Sequence, residues 1–219
     1  EEKPWLKKCC EPVMEQSYLH RAIWQQKKLH SKLKEEKCDI LFVPGGSFIT
    51  KFRPVVTMSQ NLIPFELNKM IRYGASLLTL KLFLLRLSQS FSYKNANGTI
   101  FLTEFAQDSV LKVTNPLKGA TAIIPHGIDK GFFVHPRPQR KINNFNSECP
   151  FQLLYVSNIE PYKNHYQVIE AVAKVRAKGY PIVLKLIGSA NNIELNRLKN
   201  KIQNIDPLCQ FVQYLGFTS

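Results

Sequence analysis

Short apolar segments alternate with longer segments of helical character along most of this chain. An apolar run of strand length, followed by an amphipathic helix and a further apolar run, is typical of parallel strands joined by crossover helices. The runs lie at 38–43, 54–59, 98–103, 121–125, 151–156, 181–188 and 210–212. The sequence therefore predicts an α/β protein built on parallel sheets.

Helical periodicity is found beside these runs. The predicted helices are 15–37, 66–89, 104–115, 165–178 and 191–205. Thr103 is the expected N-cap of the third helix, and Gly179 lies where the C-terminal cap of the fourth would be. The second helix is rich in leucine, so we expect it to pack its leucines on a sheet and to turn a narrow polar stripe, which includes Arg72 and Arg86, toward solvent.

A proline-rich segment without periodicity, 135–150, divides the pattern. We interpret it as a linker between a Rossmann-like domain, 1–134, and a second one that begins at residue 151. The second domain, 151–219, has three predicted strands, fewer than a stable open parallel sheet usually has. We therefore expect the chain to be a piece of a larger two-domain protein.

The chain has 219 residues, a formal net charge of +14 and five cysteines. The positive charge is spread along the sequence and suits anionic partners in general, such as phosphates, nucleic acid or an anionic membrane surface. An odd number of cysteines without a CxxC pair indicates buried free thiols in a reducing compartment, and therefore a cytoplasmic protein. The most apolar stretch, 77–87, is too short and too charged to span a bilayer.

In open parallel sheets, ligands bind at the carboxyl ends of the strands, beside helix N-termini. The fifth run is followed by a polar turn that contains Ser157, Asn158 and Lys163. Lys163 lies where a helix begins, so its charge would oppose the helix dipole unless an anion lies nearby. A diphosphate would satisfy both the cation and the N–H groups of the helix, while a solvated lysine is the simpler alternative.

Further candidate residues follow the strands of the first domain. Glycines that could allow a ligand to approach the backbone, and polar side chains of a binding loop, are Gly45, Gly46, Ser59, Gln60, Asn61 and Glu66. Gly-Gly after a strand is more often only a turn, and an acid at a helix start more often stabilises the helix than acts as a base.

His126 and Gly127 follow the fourth run, close to the expected interdomain linker. A lone histidine at such a place is at least as often a structural, hydrogen-bonded residue as a catalytic one. We therefore expect His126→Ala chiefly to lower stability.

Four segments in this order resemble the family 4 retaining glycosyltransferases, particularly their bacterial polysaccharide-biosynthesis members. The segments are 55–66, 99–105, 124–129 and 154–172. The resemblance implies a GT-B fold of two Rossmann-like domains. It also implies hexosyltransferase-type transfer of a sugar from a nucleoside diphosphate sugar, with retention, to a glycan or lipid-linked acceptor in the cleft between the domains. It implies neither an obligatory metal nor another cofactor.

In that family a lysine and an arginine after the first strand of the donor domain hold the diphosphate. Lys163 matches the lysine, whereas Asn158 stands at the arginine's position and can donate hydrogen bonds without charge. The histidine that many members carry after a strand like 54–59 has no counterpart in this sequence. The family's paired glutamates would lie beyond Ser219, and its N-terminal glycine-rich loop is absent, so no catalytic residue is assigned and the chain alone is expected to need further residues for activity.

Two other functional classes are compatible with parts of the sequence. A non-catalytic basic module that binds nucleic acid or another polyanion is favoured by charge, but the sequence has no helix-turn-helix, RNP-like or zinc signature, which argues against specific nucleic-acid recognition. A dehydrogenase or epimerase is disfavoured because no GxGxxG is present. For the transferase, the positive charge suits peripheral docking at the anionic inner face of a membrane.

Overall fold

The computed structural model describes residue 3 and residues 5–217. The chain divides into two compact units, Glu1–Ile128 and Asp129–Ser219. The assignment of 135–150 as a linker stays a prediction; the one element within this fully described segment is a 3-10 turn, Ile142–Asn144.

The N-terminal unit contains a sheet of four parallel strands in the order β1-β2-β3-β4. The strands are β1 (Leu41–Val43), β2 (Val55–Ser59), β3 (Gly98–Phe101) and β4 (Ala120–Ile123). The helices are α1 (Tyr18–Trp24), α2 (His30–Glu35), α3 (Leu67–Met70), α4 (Leu77–Asn95) and α5 (Glu104–Thr114). A π-helical segment, Gln25–Leu29, joins α1 to α2, and the crossovers from β2 to β4 contain the other three helices. The predicted parallel α/β architecture is confirmed for this unit.

The core of this unit lies between the sheet and helices α4 and α5. Phe65, Tyr93, Phe101 and Val110 form one buried cluster. The predicted cap of α5 is confirmed, because the backbone N–H of Ala106 donates to the Thr103 hydroxyl at 3.1 Å. These contacts fix α5 directly after the carboxyl end of β3.

The helix predicted at 66–89 is broken in the structure. It consists of α3, a 3-10 turn (Ile71–Tyr73) and α4, with Gly74 at φ 66 between them and the Ser76 side chain capping α4. The expected orientation is also wrong, since several leucines of α4 point to solvent while Gln89, Ser92 and Tyr93 are buried. The break resets the helical phase, so residues on either side of Gly74 do not share one helical wheel.

Two strand boundaries differ from the predictions for a common reason. The first strand begins at Leu41 rather than residue 38, because the Cys38 N–H donates to the Leu33 carbonyl and closes the preceding helix. The last strand begins at Val212 rather than residue 210, because the Gln210 and Phe211 N–H groups donate to Asp206. In both cases the backbone N–H groups that a strand would use are hydrogen-bonded to residues at the end of the preceding helix.

The C-terminal unit contains three parallel strands in the order β5-β6-β7. Its elements are β5 (Phe151–Val156), α6 (His165–Arg176), β6 (Ile182–Ile187), α7 (Asn192–Ile205) and β7 (Val212–Tyr214). The core contains Ile169 and Val172 of α6, Leu184 and Leu186 of β6, and Leu198 of α7. Gly179, with φ 90, ends α6 as predicted: its N–H donates to the Arg176 carbonyl.

The five cysteines are free thiols, but they are not buried as expected. Cys38 is half-buried and the other four are exposed, because they lie in turns and irregular segments outside the two cores. Among the residues that the structure describes, no helix is both long and apolar enough to cross a bilayer.

Candidate functional site

The predicted diphosphate-binding residues lie in the turn between β5 and α6, with Ser157 and Asn158 directly after the strand and Lys163 at the entry of the helix. A 3-10 turn, Pro161–Lys163, is followed by Asn164 in the left-handed conformation (φ 60), and α6 begins at His165. The first N–H groups of a helix have no intrahelical acceptor, and the dipole makes this end positive. Lys163 therefore lies next to a backbone end that favours anions.

Tyr155 connects this turn to the strand that precedes it. Its hydroxyl donates to the Lys163 carbonyl at 2.5 Å, and its ring stacks on His165 with centroids 4.5 Å apart. The Lys163 ammonium lies 5.1 Å from the Tyr162 ring centroid and is only half-buried. The backbone of Lys163 is thus fixed while its side chain stays at the surface.

The loop after β6 is hydrogen-bonded to the loop after β5. The Ile159 N–H donates to the Ser189 carbonyl at 2.8 Å, and the Ser189 hydroxyl donates to Asn158 Oδ1 at 2.9 Å. A Cβ on Gly188 would lie 2.0 Å from the Ser157 carbonyl oxygen, so the two backbones approach as only glycine allows. Sequence reasoning missed Gly188 and Ser189, although Gly188 ends a predicted strand.

His165 is 1 % exposed at the first position of α6. Burial lowers its pKa, the charge of Lys163 acts in the same direction, and a contact with the Ser157 backbone acts against both. The imidazole is therefore held neutral beneath the turn, where it packs on Tyr155.

We expect the C-terminal unit to lose stability as the pH falls through the ordinary histidine pKa of about 6.5. A depressed pKa in the folded state means that the unfolded chain binds the proton more readily, so this contribution is present above about pH 6.5 and declines below it. Urea unfolding at about pH 8 and about pH 5.5 measures the change.

The control for this pH dependence is an exposed histidine of the other unit. His165→Phe should reduce the difference in unfolding free energy between the two pH values, whereas His126→Ala should retain it. An unchanged difference in His165→Phe would contradict the assignment.

The predicted acceptor-side residues gather around a buried tyrosine of α4. Gly46, at φ 78, lies so close to Tyr93 that a Cβ there would be 2.7 Å from the phenol oxygen, and Gln89 Nε2 donates to the Gly45 carbonyl at 3.4 Å. Burial raises the pKa of Tyr93, and the Ser59 hydroxyl opposes that shift. The structure thus brings Gly46 and Ser59 together through Tyr93 and Gln89. Sequence reasoning placed Gln89 at the end of a helix, left Tyr93 beyond that helix, and assigned neither residue to this site.

The remaining acceptor-side residues make other contacts. Gln60 and Asn61 are exposed, and Asn61 Oδ1 accepts from the Ile63 N–H at 3.0 Å. Glu66 precedes α3 and accepts a hydrogen bond from the Lys69 ammonium at 2.6 Å. Its position and partner suit helix stabilisation, the simpler of the two roles weighed from the sequence.

His126 and Gly127 lie in an irregular segment just before the boundary between the units. The His126 side chain is exposed and makes no hydrogen bond with the residues that the structure describes. The described part of the chain shows no packing or hydrogen bond that His126→Ala would remove, and the loss of stability expected from the sequence stays a prediction.

Residues 136–219 match the family model described as "Glycosyl transferases group 1". The match covers most of the C-terminal unit, including the turn that carries Lys163. No curated protein matches the chain.

Several solved structures are similar to this chain over most of its length. Anabaena Alr3699/HepE, in complex with UDP and glucose, has a TM-score of 0.55 at 14% identity, over 90% of this chain and 53% of that one. Sucrose-phosphate synthase from Thermosynechococcus elongatus has a TM-score of 0.60 at 16% identity, over 88% and 49%. A glycosyltransferase from Rickettsia africae has a TM-score of 0.53 at 14% identity, over 98% and 55%.

These similarities define the class of fold. The chain has the α/β fold of GT-B glycosyltransferases, with two Rossmann-like units of parallel strands, as the sequence predicted. It spans about half the length of the structures it matches.

Proposed function

We propose that this chain is part of a glycosyltransferase that uses a nucleoside diphosphate sugar, and that the turn from Ser157 to Lys163 binds the diphosphate. The observation that carries the proposal is Lys163 at the entry of α6, after the carboxyl end of β5. A cation and a helix N-terminus together stabilise a leaving diphosphate without a metal ion. The family match over this segment supports it.

Ser157 and Asn158 complete the proposed diphosphate site. The Asn158 oxygen accepts from Ser189, which leaves the amide NH₂ as the group that can donate to a phosphate oxygen. Asn158 is exposed and Ser157 half-buried, so both can be reached from solvent.

The acceptor side is proposed to be the N-terminal unit, at the cluster of Gly46, Ser59, Gln89 and Tyr93. The side-chain oxygen of Gln89 in this cluster, Oε1, is buried without a hydrogen-bond partner among the described residues. Orphaned polar atoms of this kind suit hydroxyl groups, which donate and accept at once. We propose a glycan or lipid-linked acceptor, hexosyl transfer and retention of configuration, in line with the family that the sequence resembles.

Titration calorimetry with UDP and GDP tests the donor site. Lys163→Ala should weaken nucleoside diphosphate binding about tenfold or more, because a charge-assisted contact with a phosphate contributes roughly 1.5–3 kcal/mol. Lys178→Ala, an exposed lysine just beyond the other end of α6, should leave the affinity unchanged. Equal affinities for wild type and Lys163→Ala would remove Lys163 from the site.

The alternative, a basic module that binds polyanions without catalysis, is favoured by the net charge of +14. Retention on a heparin column that weakens with salt, together with no binding of UDP or GDP, would support this alternative instead. Binding of a nucleoside diphosphate that depends on Lys163 supports the transferase.

A further inference from the structure

Helix α4 carries a continuous apolar row on its exposed side. Leu77, Leu80, Leu84, Leu87 and Phe91 recur at alternating spacings of three and four, so they lie along one face over about 21 Å. They are 78%, 54%, 55%, 53% and 64% exposed. We call these five residues the apolar row.

The apolar row faces away from the sheet. Leu82, Gln89 and Tyr93 lie on the other side of α4 and are 8%, 4% and 0% exposed. In layered α/β domains the helices form the outer layers, and the outward face of such a helix is ordinarily polar. This helix has the reverse distribution, with two polar residues inward and large apolar residues outward.

The charge of the surrounding segment is of one sign. Between Glu66 and Glu104 the chain has five basic residues and no acidic residue. Lys81 and Lys94 of α4 are exposed, and Lys81 lines a recess together with Leu84 and Leu85. Exposed leucine and phenylalanine side chains can insert among lipid chains, while lysines beside them meet the anionic headgroups.

We propose that α4 is the membrane-docking element of this protein, with the apolar row inserted among the lipids of an anionic bilayer and Lys81 and Lys94 at the headgroups. The inference rests on the proposed function, because it brings the N-terminal unit to the surface where a lipid-linked acceptor is held. Two residues of the proposed acceptor cluster, Gln89 and Tyr93, belong to α4 itself.

The charge of this segment favours an anionic bilayer over a second copy of the chain as the partner of the apolar row. The spacing of the apolar row also suits a helix–helix contact. Two copies joined through α4 would bring Lys81 and Lys94 of each near those of the other, with no acidic residue in the segment to compensate. Anionic lipid headgroups complement the same lysines, with about a fivefold gain in binding for each basic residue near the surface.

Sedimentation with vesicles tests the proposal. The protein should bind vesicles of phosphatidylglycerol and phosphatidylcholine, bind vesicles of phosphatidylcholine alone weakly, and be released by salt. A triple variant, Leu80→Ser with Leu84→Ser and Leu87→Ser, should lose binding by at least about tenfold, since it removes most of the apolar face. Lys81→Glu should lower binding about fivefold or more.

The controls are an exposed leucine and an exposed lysine of the other unit, Leu208→Ser and Lys178→Glu, which should bind vesicles like the wild type. Equal binding of the triple variant and the wild type, or no preference for anionic vesicles, overturns the proposal. The proposal is also overturned if sedimentation velocity shows that the wild type is a dimer without lipid and that the triple variant is a monomer.

Calorimetry with UDP on the same variants separates the two proposals. UDP binding without vesicle binding refutes docking by α4 and leaves the donor site intact. Vesicle binding that depends on the apolar row, without UDP binding, refutes the donor site alone.

Discussion

Gly188→Ala should destabilise the C-terminal unit by more than about 4 kcal/mol. The added Cβ would lie 2.0 Å from the Ser157 oxygen and 2.5 Å from the Ser157 carbonyl carbon, and both atoms belong to the backbone. The φ of 153 at Gly188 is in addition one that L-residues rarely adopt. Relief would require the loops after β5 and β6 to separate, so urea unfolding followed by circular dichroism should show the loss.

Gly179→Ala is the matched control for Gly188→Ala. Gly179 also has a positive φ, 90, but no atom lies within 4 Å of its would-be Cβ. This variant isolates backbone strain, which amounts to roughly 1–2 kcal/mol for a left-handed residue. If the two variants lost similar amounts of unfolding free energy, the close approach of Gly188 to Ser157 would contribute nothing beyond backbone strain.

Asp206→Ala should reduce the stability of the same unit by about 3–4 kcal/mol. Asp206 is 3% exposed, and its side-chain oxygens accept from the N–H groups of Gln210 at 2.9 Å, Phe211 at 2.7 Å and Val212 at 2.8 Å. Alanine would leave three backbone donors without this acceptor where the chain enters β7. Urea unfolding measures the loss, and the amide of Val212 should exchange its hydrogen faster.

The control for Asp206→Ala is Asn204→Ala, an exposed polar residue near the end of α7. Its side chain makes no hydrogen bond with the described residues, so the expected change is within about 0.5 kcal/mol. A loss below about 1 kcal/mol in Asp206→Ala would show that water replaces the carboxyl group at these amides.

Local patterns predicted the elements whose cause is local. Strand β5 runs from Phe151 to Val156 as predicted. Thr103 caps the start of α5 with its side chain, and Gly179, at a positive φ, follows the end of α6. The helix start beside Lys163 was predicted for the same reason, since turn residues and periodicity lie within a few positions of one another.

Contacts between distant segments were not predicted. Gly46 meets Tyr93, and Gly188 meets Ser157, across more than thirty residues of sequence in each pair. These contacts depend on which strands are neighbours in the sheet and on which side of each helix faces it. The periodicity of a single segment contains neither piece of information.

The sequence by itself determined the parallel α/β architecture, the presence of two groups of strands, and the position of a cation at the start of α6. The tertiary structure decided which face of α4 is outward and which backbone groups meet at the two candidate sites. The physical reason is that alternation and capping act over a few residues, whereas the orientation of α4 depends on contacts that Gln89, Ser92 and Tyr93 make with residues far away in the sequence. Most leucines of α4, expected from the sequence to pack on the sheet, are therefore exposed, while Leu82 remains buried.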